Sequence, residues 1–172
     1  MHGNNRSESD AYFNARALDR NVGSPLTAGA DAFTRYIMRN GGDPCILIVD
    51  DDPDILQTLA LCLSTEGYKI LMASNGREAL DVVEKERPSV ILLDLMMPVM
   101  DGWQFVAALE ERGKRDMPLL ILSADRAVQG HAHKLRANGH LAKPFDLEDL
   151  LGKVAELLGR KNGDNGRPLH PH

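Results

Sequence analysis

The sequence predicts an α/β protein with a five-stranded, doubly wound parallel sheet and five helices. The main observation is a set of short apolar runs that stop at a carboxylate, a hydroxyl or an ammonium group, at 45–51, 90–94, 119–123 and 140–144. Runs of this length, bounded by turn residues, are typical of strands buried on both faces of a parallel sheet. Because helical patterns alternate with the strands, they predict five consecutive βα units.

Each helix is predicted from residues that start or stop helices around apolar side chains at helical spacing. Asp52 followed by Pro53 supplies an N-cap carboxylate and a proline at the first helical position. Asn75 with Glu78 three residues later resembles a capping box, and Gly67 stands where a helix C-cap is expected. The predicted strands cover 45–49, 68–73, 89–93, 119–122 and 140–142, and the predicted helices begin after Asp52, Asn75, Asp101, residue 125 and Asp146.

Composition indicates one globular domain with additional segments at both ends. The 172 residues are enough for one domain with a core, and 43% hydrophobic with 26% charged residues is ordinary for a soluble protein. Residues 1–44 carry scattered glycine and charge with few clustered apolar side chains, which predicts a mostly disordered extension. Residues 160–172 are predicted to be a flexible tail, so that the domain occupies 45–159.

Charge, hydropathy and cysteine usage narrow the class of function. A net charge of −5 argues against a nucleic-acid-binding surface, which would carry a basic patch. No apolar run approaches the roughly 20 residues of a membrane span, and the N-terminus lacks the apolar segment of a secretory signal. Cys45 and Cys62 lack metal-ligand spacing and are interpreted as buried free thiols. These observations predict a cytoplasmic protein that binds neither nucleic acid nor membranes.

Carboxylates follow two of the predicted strands. Asp50 and Asp51 end the first strand and Asp94 ends the third, and the carboxyl ends of strands are where open α/β sheets bind ligands. Clustered carboxylates are unfavourable unless a cation neutralises them or one of them is protonated. Oxygen ligands at this density suit Mg²⁺, which binds one or two carboxylates together with water and phosphate oxygens. The sequence therefore predicts a Mg²⁺ site and, with it, phosphate chemistry.

Ser123 and Lys143 lie at the ends of the next two strands and complete this site. An ammonium group neutralises a phosphoryl oxygen as a point charge, and a hydroxyl donates a hydrogen bond to another. A carboxylate nucleophile, Mg²⁺, a hydroxyl and an ammonium group are the parts needed to form an aspartyl phosphate. Each residue alone has an ordinary explanation as a turn, loop or surface residue, but their joint position favours a catalytic set of Asp94, Ser123 and Lys143.

Four stretches of the chain resemble the motifs of the two-component response-regulator receiver domain. The resemblance extends from about residue 45 to residue 158, and its motifs are specific in combination. It implies a flavodoxin-like sheet with strand order 2-1-3-4-5. The stretches are 46–53, 92–102, 122–124 and 141–145.

The resemblance also implies roles for individual residues. Asp94 would accept a phosphoryl group from a histidine kinase or a histidine phosphotransfer protein. Ser123 would be the switch hydroxyl, and the Lys143–Pro144 peptide bond would be cis, as the family motif suggests. The implied ligands of Mg²⁺ are Asp50, Asp51, Asp94 and the backbone carbonyl of Met96.

Three positions depart from the family pattern. His140 stands three residues before the lysine, where the family usually has an aromatic switch residue, and is interpreted as its substitute. Arg136 replaces the usual glycine of a Gly-Ala pair. Met96 lies two residues after Asp94, at a position that influences dephosphorylation in this family. Because an apolar side chain cannot orient an attacking water, we expect a comparatively long-lived phosphoryl group.

The sequence thus favours a stand-alone receiver that acts as a phosphorylation-dependent switch, without enzymatic turnover beyond its own phosphorylation and dephosphorylation. Its expected partners are the phosphodonor protein, a protein effector of unknown identity, and a second copy in a phosphorylation-dependent dimer. One alternative is a phosphohydrolase of the haloacid-dehalogenase type, but Met96 stands where such enzymes have their second aspartate. Another alternative is an interaction module that works without phosphorylation.

Overall fold

The computed structural model describes residues 42–124 and 128–159, and the predictions for 1–41 and 160–172 lie outside these ranges. The strands are β1 (Cys45–Val49), β2 (Lys69–Ala73), β3 (Val90–Asp94), β4 (Leu119–Ser123) and β5 (Gly139–Ala142). The helices are α1 (Pro53–Thr65), α2 (Gly76–Lys85), α3 (Gly102–Glu111), α4 (Val128–Lys134) and α5 (Leu147–Gly159). No helix within the described ranges is long and apolar enough to cross a membrane.

All five strands are parallel and lie in the order β2-β1-β3-β4-β5, which confirms the predicted fold. β1 and β3 are neighbours at the centre of the sheet, with Val49 paired to Leu93. Their carboxyl ends therefore open side by side. Asp94 is paired with Leu122 and belongs to β3, although the predicted strand ended one residue earlier.

Strand β1 shows why a continuous apolar run is needed in this sheet. Ile46 and Ile48 pack against α1 and α5, whereas Leu47 and Val49 pack on the opposite face against α2, α3 and α4. All four side chains are almost completely buried. Because neither face of the strand contacts water, the alternation typical of half-exposed strands is absent.

The predicted starts of α1, α2 and α3 are confirmed at their caps, and α5 begins directly after Asp146 as predicted, whereas the start predicted after residue 125 lies outside the described residues. The Asp52 carboxylate accepts hydrogen bonds from the N–H groups of Asp54 and Ile55, and Pro53 is the first residue of α1. The Asn75 side chain accepts from the N–H groups at the start of α2 in the same way. These bonds satisfy backbone donors that have no partner within the helix.

The predicted capping box at Asn75 is wrong in its reciprocal half. The Glu78 carboxylate accepts from the backbone N–H of Ser74 (2.8 Å) and from its hydroxyl (2.9 Å), rather than from the N–H of Asn75. Ser74 offers two donors to one carboxylate oxygen, which explains the preference. A complete capping box instead occurs at α3, between Asp101 and Gln104.

Three helices end in the same hydrogen-bonded cap, in which one residue adopts a left-handed conformation. That residue is Gly67 after α1 (φ 91°), Gly113 after α3 (φ 65°) and Arg136 after α4 (φ 49°). At α4 the N–H of Ala137 donates to the carbonyl of Ala132 at 2.8 Å, which closes the cap. Arg136 therefore occupies a backbone conformation that the chain otherwise gives to glycine at this kind of cap.

Replacing Arg136 by glycine is expected to stabilise the fold by about 1 kcal/mol, because glycine adopts the left-handed region without a Cβ clash. The substitution also removes a positive charge near Arg115, whose guanidinium pKa is lowered chiefly by burial and additionally by the charge of Arg136. Urea unfolding measures the effect. Gly113→Ala is the matched control, since a Cβ there meets nothing within 4 Å and should cost about 1 kcal/mol through its backbone alone. A destabilised Arg136→Gly variant would contradict this account.

Candidate functional site

Two buried carboxylates meet one lysine at the carboxyl edge of the sheet. Asp50 follows β1 and Asp94 ends β3, and they are only 1% and 6% exposed. Lys143 follows β5, and its Nζ lies 2.5 Å from Oδ2 of Asp50 and 3.0 Å from Oδ1 of Asp94. The structure therefore brings together three of the predicted site residues around a single ammonium group.

The second oxygen of each carboxylate is held by the backbone. Oδ2 of Asp94 accepts from the N–H of Met96 at 2.8 Å, and Oδ1 of Asp50 accepts from the N–H of Asp52 at 3.0 Å. Each carboxylate thus has one oxygen fixed by an amide and the other bound to Lys143. This arrangement fixes the orientation of both carboxylates, and it leaves the Lys143 contacts as the ones that another cation could replace.

The charges of the three groups influence each other. Burial raises the pKa of Asp94, and the nearby charge of Asp50 adds to this, although the hydrogen bond and charge of Lys143 act in the opposite direction. Burial alone would lower the pKa of Lys143, but its hydrogen bonds to Asp50 and Asp94 and their charges outweigh this, so that its pKa is raised. Lys143 therefore remains an ammonium ion at neutral pH, and the trio carries one excess negative charge.

The residues present fit Mg²⁺. Asp50 and Asp94 are adjacent hard oxygen donors with excess negative charge, and Mg²⁺ needs only one or two carboxylates when water, a carbonyl oxygen or a phosphate completes its shell. Asp51 is exposed at the rim and is not brought into contact with this pair. Within 42–124 and 128–159, no three histidine, cysteine or acidic side chains form a ready-made metal cage. Coordination of Mg²⁺ by Asp50, Asp51, Asp94 and the carbonyl of Met96 stays a prediction.

Ser123 and His140 occupy the strands next to Asp94. Ser123 is fully buried at the end of β4, and its carbonyl accepts the N–H of Lys143 at 2.8 Å, which helps to place the lysine. His140 is half-buried in β5 and is paired with Ile121, on the sheet face opposite Leu141. That face is covered by α4. The switch roles of both residues stay predictions, while the expected cis Lys143–Pro144 bond is present.

The loop after Asp94 is packed too tightly to accept a side chain at Gly102. A Cβ on Gly102 would lie 2.6 Å from the carbonyl oxygen of Asp94 and 2.9 Å from Cα of Leu95. Gly76 at the start of α2 was not singled out in the sequence, yet a Cβ there would lie 2.9 Å from the carbonyl oxygen of Met100. Its only sequence signal is its place directly after a helix N-cap. These two close approaches constrain the loop that follows Asp94, between β3 and α3.

Two apolar side chains of the same loop point into solvent. Met96 is 74% exposed and Val99 is 83% exposed. Val99 also has a φ of 69°, a conformation that is rare for a β-branched residue. Because Met96 is a methionine, this position offers no strong hydrogen-bonding side-chain group beside the buried Asp94.

Comparison with known proteins identifies a consistent set of relatives. The model of the response regulator receiver domain matches residues 46–155. The response regulator MprA of Mycolicibacterium vanbaalenii is 41% identical over 123 residues, which cover 70% of this chain and 53% of that protein. MprA of Mycobacterium leprae is 39% identical over 122 residues, with the same coverage. The chain thus spans about half the length of the curated relatives that it matches.

Solved structures agree with this result. A putative response regulator from Chloroflexus aurantiacus has a TM-score of 0.64 at 31% identity, covering 69% of this chain and 100% of that one. The response regulator TrrA from Thermotoga maritima, in complex with Mg²⁺ and BeF, has a TM-score of 0.61 at 31% identity, with 66% and 98% coverage. The chemotaxis protein CheY4 of Vibrio cholerae has a TM-score of 0.61 at 34% identity, also with 66% and 98% coverage.

Proposed function

Because the chain belongs to the response-regulator receiver family, we propose that Asp94 accepts a phosphoryl group from a histidine kinase or a histidine phosphotransfer protein. Response regulators receive phosphate from histidine kinases. The observation that carries the proposal is the position of Asp94, which ends a central strand, is held by the Met96 amide and contacts Lys143. The amide of Met96 fixes one carboxylate oxygen, and the other, which contacts Lys143, is the oxygen proposed to react.

In the proposed transfer, an oxygen of Asp94 forms a bond to phosphorus while the bond between phosphorus and the donor histidine nitrogen breaks. The bonding electrons leave with the imidazole. Lys143, which contacts the oxygen that would react, stays close enough to neutralise a phosphoryl oxygen. The Ser123 hydroxyl is proposed to donate to another phosphoryl oxygen, since it ends the strand next to Asp94.

Mg²⁺ is the cofactor of this proposal. Receiver domains generally bind it for phosphorylation, and we assign its ligands to Asp50, Asp51, Asp94 and the carbonyl of Met96. When bound, the ion supplies positive charge that stabilises the oxygens of the transferring phosphoryl group. Asp50 already has one oxygen fixed by the amide of Asp52, so it can exchange Lys143 for another cation without losing its orientation.

The new charge on Asp94 is proposed to act through Ser123, Lys143 and His140 on the face that includes α4, β5 and α5. A local charge change of this kind biases an element with two arrangements. We propose that output passes to a protein partner, through a phosphorylation-dependent dimer or onward in a phosphorelay, rather than through enzymatic turnover.

We also propose a cytoplasmic location, which fits the free thiols of Cys45 and Cys62, and no nucleic-acid contact by this acidic chain.

The experiment that tests this function is incubation with acetyl phosphate and Mg²⁺, followed by intact-protein mass spectrometry. The wild-type protein should gain one phosphoryl group, and Asp94→Asn should gain none. Asp149→Asn is the matched control, because Asp149 is exposed at the start of α5 and should leave the gain unchanged. A wild-type protein that takes up no phosphoryl group would contradict the proposal.

As the pH falls, the affinity for Mg²⁺ is expected to decrease at a higher pH than it would at a site whose aspartate has an ordinary pKa. The pKa of Asp94 is raised above 3.8, chiefly by burial, so this carboxylate becomes protonated at a higher pH and loses its affinity for the cation. Protonation should also favour the folded state, since a carboxyl group whose pKa is raised on folding binds its proton more tightly there. Calorimetric titration between pH 7 and pH 4 measures the affinity. Constant affinity over that range would contradict the raised pKa.

A further inference from the structure

Met96 is the most exposed methionine among the described residues. The exposed fraction of the residue is 74%, whereas the other methionines of these ranges are buried or half-buried. Oxidation of methionine by peroxides depends on access to the sulfur. Met96 should therefore react before the other methionines of the described ranges, which are Met72, Met97, Met100 and Met117.

The backbone of Met96 is tied directly to the carboxylate of Asp94. Its N–H donates to Oδ2 of Asp94 at 2.8 Å. This hydrogen bond fixes the position of the Met96 backbone, and therefore of its Cβ, relative to the Asp94 carboxylate. Asp94 itself is only 6% exposed, whereas Met96, two residues further along the chain, is 74% exposed. A polar group on Met96 would therefore lie in solvent while its backbone contacts the carboxylate that is proposed to carry the phosphoryl group.

We propose that Met96 is a peroxide-sensitive modification site whose oxidation shortens the lifetime of the phosphoryl group on Asp94. The inference rests on the function proposed above. A lone pair of the Met96 sulfur attacks one oxygen of hydrogen peroxide, so that a sulfur–oxygen bond forms while the oxygen–oxygen bond breaks. The proton on the transferred oxygen passes to the departing hydroxide, which leaves as water. The sulfur is oxidised by two electrons and the peroxide is reduced. Methionine sulfoxide reductases can reverse the change.

The physical consequence follows from the change in polarity. The thioether is a weak hydrogen-bond acceptor, whereas the sulfoxide oxygen is a strong one. An oxygen at this place can accept a hydrogen bond from a water molecule and hold it near the phosphorus atom of phosphorylated Asp94. Hydrolysis of the aspartyl phosphate should then accelerate, so that peroxide would switch the signal off without acting on the kinase.

The first measurement maps oxidation along the full-length chain. Protein is treated with limiting hydrogen peroxide, and its peptides are quantified by mass spectrometry. Sulfoxide should form at Met96 faster than at Met72, Met97, Met100 or Met117. Slower oxidation of Met96 than of these residues would overturn the inference, whether or not the protein accepts phosphate.

The second measurement follows loss of the phosphoryl group from treated and untreated protein. Oxidation should raise the decay rate of wild type roughly fivefold, well below the roughly 100-fold contribution of a positioned general base. Each variant is compared with its own untreated sample. Peroxide should leave the decay rate of Met96→Leu unchanged, because the sulfur is gone, and Met72→Leu, the control, should respond like wild type.

Equal acceleration in Met96→Leu, or no acceleration in wild type that is fully oxidised at Met96, would overturn the inference and leave the proposed function standing. An untreated protein that takes up no phosphoryl group would instead overturn the proposed function, and the inference with it. Met96→Gln provides an independent check, since its amide oxygen should raise the decay rate without peroxide.

Discussion

Replacing Lys143 by methionine is expected to lower the free energy of unfolding at neutral pH by about 3 kcal/mol, because it leaves two buried carboxylates without their counter-ion. Asp50 and Asp94 would then face each other with no ammonium between them. Burial and the charge of Asp50 raise the pKa of Asp94, and Lys143 opposes this rise, so loss of the lysine should raise the pKa of Asp94 further. A carboxyl group whose pKa rises on folding destabilises the folded state above that pKa. The stability that Lys143→Met loses relative to wild type should therefore become smaller as the pH falls.

Urea unfolding in the absence of divalent cations measures this effect. Lys153→Met is the matched control, because Lys153 forms an exposed ion pair with Glu156 whose loss should cost less than about 0.5 kcal/mol. Addition of millimolar Mg²⁺ should restore stability to Lys143→Met more than it stabilises wild type, because the ion replaces the missing charge. Equal losses of stability in Lys143→Met and Lys153→Met would contradict the claim that Lys143 stabilises the two buried carboxylates.

Gly102→Ala is expected to destabilise the protein by about 3 kcal/mol and to impair phosphorylation of Asp94, because the added methyl group collides with backbone that cannot move cheaply. Its Cβ would lie 2.6 Å from the Asp94 carbonyl oxygen and 2.9 Å from Cα of Leu95. Relief of this clash requires a shift of the end of β3 or of the start of α3. A shift of the end of β3 would displace the Asp94 carboxylate relative to Lys143.

Gly152→Ala is the control for this substitution. Gly152 lies within α5, and a Cβ there meets nothing within 4 Å, so alanine should stabilise the helix by about 1 kcal/mol. Thermal unfolding and phosphoryl uptake from acetyl phosphate are measured for both variants. A Gly102→Ala protein with wild-type stability and uptake would show that the loop adapts, contrary to the packing described here.

The sheet and most of the site could be predicted because a few strong signals agree. Continuous apolar runs indicate strands buried on both faces, and parallel strands place all their carboxyl ends at one edge. The association of Asp50, Asp94 and Lys143 follows from that rule, and the 2.5 Å and 3.0 Å contacts confirm it. The rule predicts the edge at which a residue lies, but not the direction of its side chain.

Details that depend on side-chain direction or on backbone strain could not be predicted. Asp51 follows Asp50 directly, yet it is exposed whereas Asp50 is buried. The hydrogen bonds from Ser74 to Glu78 depend on the local geometry before α2. The left-handed conformation of Val99 is contrary to the preference of a β-branched residue, so its local sequence could not predict it. The departure at Arg136 was visible in the sequence, but its backbone conformation was not.

The central claim is that Asp94 itself carries the phosphoryl group, and trapping of the acyl phosphate tests it most directly. Protein phosphorylated with acetyl phosphate and Mg²⁺ is reduced with sodium borohydride, which converts a phosphorylated aspartate to homoserine, and its peptides are sequenced by mass spectrometry. We predict homoserine at position 94 and aspartate at positions 50 and 51. Homoserine at position 50 or 51, or phosphorylated protein with unmodified Asp94, would contradict the account.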